Sequence, residues 1–155
     1  MSTPAKFSAF RIRDDEEGYR AGIESMSVDD LSPGEILIRA AYSSVNYKDA
    51  LAGTGKGRIL RRFPLNGGID VAGHVVASTD AGFREGDAVL CTGSGLSETR
   101  DGGYGEFVRL EARTAIHLPE GLSLRESMIL GTAGFTAALA IYRMLQNEQR
   151  PEMGP

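Results

Sequence analysis

Apolar and polar side chains alternate over several short stretches in the first 118 residues, a pattern typical of strands. The clearest stretch covers residues 35–42, where Ile36 and Ile38 should face one side of a sheet and Leu37 and Arg39 the other. The other predicted strands cover residues 7–13, 19–26, 63–78, 88–92, 104–110 and 114–118. Six or seven short strands joined by glycine-rich turns predict a mainly β fold, as a closed barrel or a sandwich.

The pattern changes to that of flanking helices after residue 122. Ser123 and Glu126 have the spacing of a capping box, which predicts a short helix to about residue 130. A longer helix is predicted over residues 135–146, and its side chains are apolar almost all round. Such a helix should be buried against a large partner, yet residues 147–155 are polar. We therefore expect one domain over residues 1–122, and a helical segment over 123–155 that begins a second, absent domain. The alternative is that this helix packs on the β unit or on another copy of the chain.

Composition excludes several function classes. The net charge of −4 provides no general attraction to nucleic acid or to acidic membranes. No apolar run is expected to reach the roughly 20 residues that span a bilayer, and the first residues lack the apolar core of a signal peptide. Cys91 is the only cysteine, which makes the reducing cytoplasm the expected location.

The sequence gives little support for a metal site or a catalytic nucleophile. Cys91, His74 and His117 do not have the spacing of zinc ligands, so we expect no metal. His74 is predicted to be a packed strand residue, His117 to be structural and Cys91 to be a small core residue. Residues 93–95 (GSG) lack the surroundings of a nucleophile elbow.

The polar stretch at residues 43–51 (SSVNYKDAL) is the strongest candidate for chemistry, because it follows the clearest strand. The hydroxyl of Tyr47 could act as a general acid, Lys48 could lower its pKa, and Asn46 could polarise a carbonyl. In the competing structural interpretation, Asn46 caps a short helix, Tyr47 packs, and Lys48 and Asp49 are solvated. The residues by themselves favour the structural interpretation.

A basic loop follows at residues 53–62. Glycine amides and the cations Lys56, Arg58, Arg61 and Arg62 would suit a phosphate-bearing ligand. A solvated surface loop is an equally good interpretation, and the spacing of a P-loop is absent.

Several segments, taken together, resemble the N-terminal half of medium-chain dehydrogenases/reductases, and more narrowly the zinc-free YhdH/YhfP branch. They are SSVNYKDALAGTGKGRILRRFP at 43–64, GIDVAGHVVAS at 68–78, GDAVLCTG at 86–93, DGGYGEFVRL at 101–110 and LPEGLSLRESMILGTAGFTAAL at 118–139. One departure is Asn66-Gly67, where the family has a proline after the position of Pro64. We expect this change to loosen a loop near the cleft.

The resemblance implies a GroES-like β-barrel catalytic domain followed by a Rossmann domain that binds NADPH. The last helix of this chain would then be the first helix of that missing domain. The resemblance also implies that Tyr47 contacts the nicotinamide side of NADPH, that Thr132 approaches the cofactor, and that Asp70 lies at the cleft floor. From its apolar surroundings, Asp70 is independently predicted to be a buried carboxylate that needs partners. Asn46 stands where zinc-dependent relatives place a cysteine ligand, in agreement with an absence of zinc.

The implied reaction is hydride transfer from NADPH to the β-carbon of an enoyl thioester such as acryloyl-CoA, followed by protonation at the α-carbon. Asn46 or backbone amides would stabilise the oxyanion, and Asp49 would orient its neighbours or relay a proton. The alternatives are a quinone oxidoreductase and, in another class, a non-catalytic binding β-domain. We expect a longer protein of this kind to be a homodimer. We expect this chain by itself to be inactive and to self-associate through its last helix.

Overall fold

The structure, a computed structural model, describes residues 4–153 of the chain, and eight strands and two α-helices lie in that range. The strands are β1 Phe7–Asp15, β2 Gly18–Met26, β3 Ile36–Tyr42, β4 Leu65–Asn66, β5 Asp70–Ser78, β6 Ala88–Thr92, β7 Phe107–Leu110 and β8 Ile116–His117. The helices are α1 Tyr47–Thr54 and α2 Leu124–Gln146. The prediction of a mainly β unit with flanking helices is confirmed.

The strands form two antiparallel sheets. One has the order β2-β1-β4 and the other the order β7-β3-β5-β6-β8. In β3, Ile36 and Ile38 belong to the main apolar core, whereas Leu37 packs in a second core with Phe7 and Phe107, so the predicted alternation is confirmed. A third apolar cluster, which includes Ile12, Ala52, Leu60 and Leu65, holds α1 against β1 and β4. These cores hold the end of β3 and the start of β5 in place, and the polar stretch lies there.

The predicted strand over residues 63–78 is broken into β4 and β5. The interruption falls at Gly67 and Gly68, whose backbone lies against the ring of Tyr104. The prediction that Asn66 loosens a loop near the cleft is wrong. Asn66 is fully buried in β4, and its Oδ1 accepts a hydrogen bond of 3.0 Å from Arg11.

Two of the three predictions for the histidines and the cysteine hold. Cys91 is buried in the core. His117 stacks on Phe83 with ring centroids 4.6 Å apart, and its Nε2 lies 3.0 Å from the carbonyl oxygen of Gly82, so it serves the fold. The prediction for His74 is wrong. Its side chain is exposed, because it points away from the core on which Val75 packs.

The two predicted helices are confirmed as two helical segments, which together form α2 and meet at a kink. Ser123 caps its start as predicted. At Gly131 the backbone takes φ 48° and ψ −159°, which are not helical values. Ser127 and Met128 are buried before the kink, whereas Phe135 and Leu139 beyond it are 61% and 43% exposed. The expected burial of this apolar helix is therefore not found within the described residues.

By length and composition, α2 could cross a membrane, which corrects the expectation that no stretch reaches that length. However, Thr132, near its middle, is hydrogen-bonded to Asp70 of β5. A bilayer would have to enclose that polar contact and the adjoining sheet, so the geometry favours a protein surface over a membrane span.

Candidate active site

Asp70, the first residue of β5, is the centre of the polar cluster. It is fully buried, as predicted, and it accepts hydrogen bonds from two other elements. Its Oδ2 accepts from Nδ2 of Asn46 at 2.9 Å and from the backbone N–H of Thr132 at 3.0 Å, and its Oδ1 accepts from Oγ1 of Thr132 at 2.5 Å. One carboxylate therefore joins the start of α1, the start of β5 and the kink of α2.

Asp49 is buried as well, which corrects the interpretation that it is solvated. Its Oδ2 accepts from the backbone N–H of Asn46 at 2.8 Å and from Nδ2 of Asn46 at 3.2 Å, and its Oδ1 accepts from the N–H of Ile69 at 3.0 Å. These contacts fix Asn46 at the N-cap of α1. The geometry supports Asp49 as a positioning residue.

The side-chain amide of Asn46 is oriented by both carboxylates. Its nitrogen faces Oδ2 of Asp49 and Oδ2 of Asp70, and each of these oxygens also accepts from a backbone N–H. Only the NH₂ end can face two acceptors, and both of its hydrogens are then in use. Asn46 has no hydrogen left to donate to a thioester oxyanion, so backbone amides are the better candidates for that role.

Tyr47 begins α1, and its side chain is 81% exposed. The interpretation that it packs is therefore wrong, and its ring and hydroxyl are accessible to a ligand. Lys48 is not simply solvated, because it forms an ion pair with Glu98. This pair compensates the charge that was expected to act on Tyr47.

Three further residues hold the site together, and sequence reasoning did not single them out. The hydroxyl of Ser43 donates to the backbone carbonyl of Asp70 at 2.6 Å, and that of Ser44 donates to the carbonyl of Met128 at 2.6 Å. The hydroxyl of Tyr104 donates to the carbonyl of Ser44 at 2.9 Å. Burial raises the pKa of Tyr104, and the negative charge of Asp49 raises it further. Tyr104 therefore stays a neutral donor. The only sequence signal was that both segments carry family motifs.

Gly131 allows α2 to approach this cluster. A Cβ added there would lie 2.4 Å from Oγ of Ser44 and 2.9 Å from Oδ2 of Asp70, and the positive φ is itself unfavourable for other residues. The glycine is thus required both by its backbone conformation and by the close approach of its neighbours.

The basic loop divides into two parts. Lys56, Arg58 and Arg61 are exposed, and their side chains make no hydrogen bond or ion pair within the described part of the chain. Arg62 is different, because it donates to Oγ of Ser32 and to the carbonyl of Thr99, each at 2.6 Å. Arg62 therefore has a role in the fold, and its assignment as a phosphate ligand stays a prediction.

A groove of about 560 Å³ lies between the five-stranded sheet and α2, and it borders the polar cluster at Gly131. Its lining is mostly apolar and includes Leu90, Ile116, Leu122, Leu130, Phe135 and Ala138. Across residues 4–153 no group of three or more histidine, cysteine, aspartate or glutamate side chains is placed to hold a metal ion.

Residues 32–120 match the alcohol dehydrogenase GroES-like domain family, and the chain belongs to that family. The predicted resemblance to the YhdH/YhfP branch of the medium-chain dehydrogenases/reductases is also confirmed. YhfP of Bacillus subtilis, which bears the name of a quinone oxidoreductase, is 44% identical over 148 residues, which cover 96% of this chain and 45% of YhfP. Acrylyl-CoA reductase AcuI of Ruegeria pomeroyi is 39% identical over 151 residues, which cover 96% of this chain and 46% of AcuI.

The similarity to this branch of the family extends to a solved structure. The yhdH oxidoreductase of Salmonella enterica, in complex with NADP, superposes with a TM-score of 0.90 at 41% identity and covers 95% of this chain. This chain covers 45% of that protein. It thus spans about half the length of the relatives it matches.

Proposed function

We propose that this chain supplies the substrate-side half of an NADPH-dependent oxidoreductase that reduces activated double bonds, and that the substrate is an enoyl thioester such as acryloyl-CoA. The observation that supports this proposal most directly is a polar cluster beside the exposed Tyr47. Its members are Asn46, Asp49, Asp70 and Thr132. Hydrogen bonds join its members to one another and to the backbone of Ile69. The cluster suits a reaction in which the protein orients the reactants and the cofactor supplies the chemistry.

The residues of the cluster fit the nicotinamide side of NADPH in part. Tyr47 presents an uncovered aromatic ring and a hydroxyl at the start of α1. Thr132 fits less well than expected, because its hydroxyl and its N–H are both bonded to Asp70, so only its methyl group and carbonyl are available for a cofactor contact. The similarity to a structure solved with NADP supports NADPH as the cofactor. No role for zinc is proposed.

The domain division is part of the proposal. Residues 1–122 form the catalytic unit, and residues 123–155, which contain α2, lead into a nucleotide-binding domain that would hold the pyrophosphate. The exposed apolar face of α2 supports this, because a second domain would bury it. We further propose that the longer protein is a cytoplasmic homodimer and that this chain by itself does not turn over.

Bound NADPH supplies the hydride that forms the new C–H bond at the β-carbon of the thioester. The electron pair of the double bond then moves into an enolate, and its α-carbon takes a proton. The hydroxyl of Tyr47 is the candidate donor, since it has no other partner within residues 4–153. Asp49 and Asp70 orient Asn46 and exchange no proton in this scheme.

Quinone reduction is the second candidate, because the groove beside α2 is apolar enough for a quinone ring. A chimera separates the two. The matching portion of Ruegeria pomeroyi AcuI is replaced by this chain, and NADPH oxidation is followed with acryloyl-CoA and with a soluble quinone. We expect faster turnover of the thioester, and a strong loss of that activity with Tyr47→Phe. A quinone rate equal to or above the thioester rate would refute the thioester assignment. If the chimera folds but does not oxidise NADPH with either substrate, the result would favour a non-catalytic binding domain.

A further inference from the structure

The loop after α1 carries an excess of positive charge, and most of its cationic side chains have no partner in the described residues. Residues 50–69 contain four basic residues and no acidic residue, although the whole chain has a net charge of −4. Arg62 is engaged with Ser32 and Thr99. The remaining three, Lys56, Arg58 and Arg61, are exposed and have no side-chain partner within the described residues.

Glu98 places this loop beside the candidate active site. Its carboxylate forms the ion pair with Lys48 in the first turn of α1, and its backbone carbonyl accepts a hydrogen bond of 2.8 Å from the N–H of Arg61. Glu98 therefore links the backbone of Arg61 to the first turn of α1. The loop also folds back along the helix, since a Cβ added to Gly57 would lie 3.3 Å from Cβ of Leu51. The loop that carries the three cations thus contacts α1 at Leu51 and is linked to its first turn through Glu98.

A neighbouring acidic segment forms no ion pair with these cations. The segment Asp14–Glu17 covers the end of β1 and the turn before β2, and it lies next to the loop because the hydroxyl of Tyr19 donates to the carbonyl of Ala52. Within this segment, Asp15 and Glu17 are paired with Arg20. The salt bridges of the described residues include none between this segment and the loop, so the cations remain available to a ligand.

We propose that Lys56, Arg58 and Arg61 bind the phosphate groups of a CoA thioester, and so select a CoA substrate at the site of the proposed reaction. This inference rests on the proposed function and names the feature that separates its two candidate substrates. CoA carries three phosphates on a long flexible arm that ends in the thioester, whereas a quinone carries none. Arginine and lysine favour such groups by charge and by hydrogen bonding. The phosphates of NADPH belong instead to the nucleotide-binding half.

Calorimetric titration of this chain with CoA tests the assignment without any turnover. We expect binding that weakens as salt screens the charges, and that weakens by about tenfold or more in the triple variant Lys56→Ala, Arg58→Ala, Arg61→Ala. Arg125→Ala removes an exposed cation on α2 and should leave CoA binding unchanged. Dephospho-CoA should bind more weakly than CoA, and inorganic phosphate should bind more weakly than either.

Three results would overturn the proposal. The first is that the triple variant and the parent chain bind CoA with equal affinity. The second is that inorganic phosphate binds as tightly as CoA. The third is that NADPH binds more tightly than CoA and that this binding depends on the three residues.

In the AcuI chimera, the triple variant should raise KM for acryloyl-CoA and leave kcat and the KM for NADPH nearly unchanged. If the chimera is inactive but the chain binds CoA, the proposed reaction would be refuted and the proposed CoA site would be supported.

Discussion

The side-chain amide of Asn46 donates a 2.9 Å hydrogen bond to the carboxylate of Asp70, and so ties the residue before α1 to the first residue of β5. The same carboxylate accepts two hydrogen bonds from Thr132, just past the kink of α2. Three elements that are distant in sequence therefore depend on one buried charge. Its replacement should reveal how far the site depends on it.

Asp70→Ala should lower the free energy of unfolding by about 2–4 kcal/mol, because it leaves the buried donors of Asn46 and Thr132 without a partner. Asp70→Asn should cost about 1 kcal/mol or less. Its oxygen can accept from Asn46 and from the N–H of Thr132, while its nitrogen donates to Oγ1 of Thr132. Urea unfolding followed by far-UV circular dichroism measures both, since the chain has no tryptophan.

Asp29→Ala is the control for that comparison, because Asp29 is exposed and its removal should have little effect. Equal losses in Asp70→Ala and Asp29→Ala would show that the cluster does not stabilise the fold. A loss in Asp70→Asn as large as in Asp70→Ala would show that the charge itself is required.

Gly131→Ala should cost about 3 kcal/mol or more, because it combines an unfavourable backbone conformation with a clash against Ser44 and Asp70. Gly134→Ala, one turn further along α2, should change stability by about 1 kcal/mol or less, since a helical position favours alanine. The same urea unfolding compares the two. Adding Ser44→Ala to Gly131→Ala should recover part of the loss, and a complete absence of recovery would contradict the proposed clash.

The stability of the chain should fall at high pH because of Tyr104. Its pKa is raised in the folded chain by burial and by the charge of Asp49, so the folded state holds the proton more tightly than the unfolded state. The resulting stabilisation is complete below the unfolded pKa of about 10 and is lost as the pH rises through the folded value.

Tyr104→Phe should therefore be less stable than the parent chain at pH 8, where it lacks the hydrogen bond to Ser44, and the difference should shrink above about pH 10. Urea unfolding at a series of pH values measures this difference. The buried Cys91 titrates in both proteins, so it cancels in the comparison. A difference that stays constant with pH would contradict the assignment to Tyr104.

The exposed face of α2 should make this chain self-associate. Phe135, Leu139 and Tyr142 lie on the helix beyond the kink, and all three are exposed. Sedimentation velocity over a series of protein concentrations should show dimers or larger species that increase with the concentration of the chain. Leu139→Glu should shift them to monomers, whereas Ile23→Glu, at another exposed apolar position, should not. A monomeric parent chain would refute the prediction.

Much of the fold could be predicted from the sequence, because alternation in strands such as β3 is a local property. The burial of Asp70 was predicted from its apolar neighbours, and the start of α2 from the spacing of Ser123 and Glu126. Each of these signals lies within a few residues of the feature it predicts.

The details of the site could not be predicted, because they depend on partners far away in the chain. Asp49 is buried by its contact with Ile69, Lys48 is paired with Glu98, and Arg62 reaches Ser32 and Thr99. Residue types indicated a polar cluster near Asn46, whereas the fold decided which members contact each other. The exposure of α2 has a similar origin, since it depends on what packs against the helix.

Transfer of deuterium from cofactor to substrate tests the central proposal most directly. The AcuI chimera that carries this chain is incubated with acryloyl-CoA and with NADPH in which both hydrogens at C4 of the nicotinamide are deuterium. The thioester product is examined by mass spectrometry and NMR. The account predicts one deuterium at the β-carbon, with a hydrogen from solvent at the α-carbon, and a much slower transfer in Tyr47→Phe. A folded chimera that binds NADPH and forms no labelled product, or that places the label at the α-carbon, would contradict it.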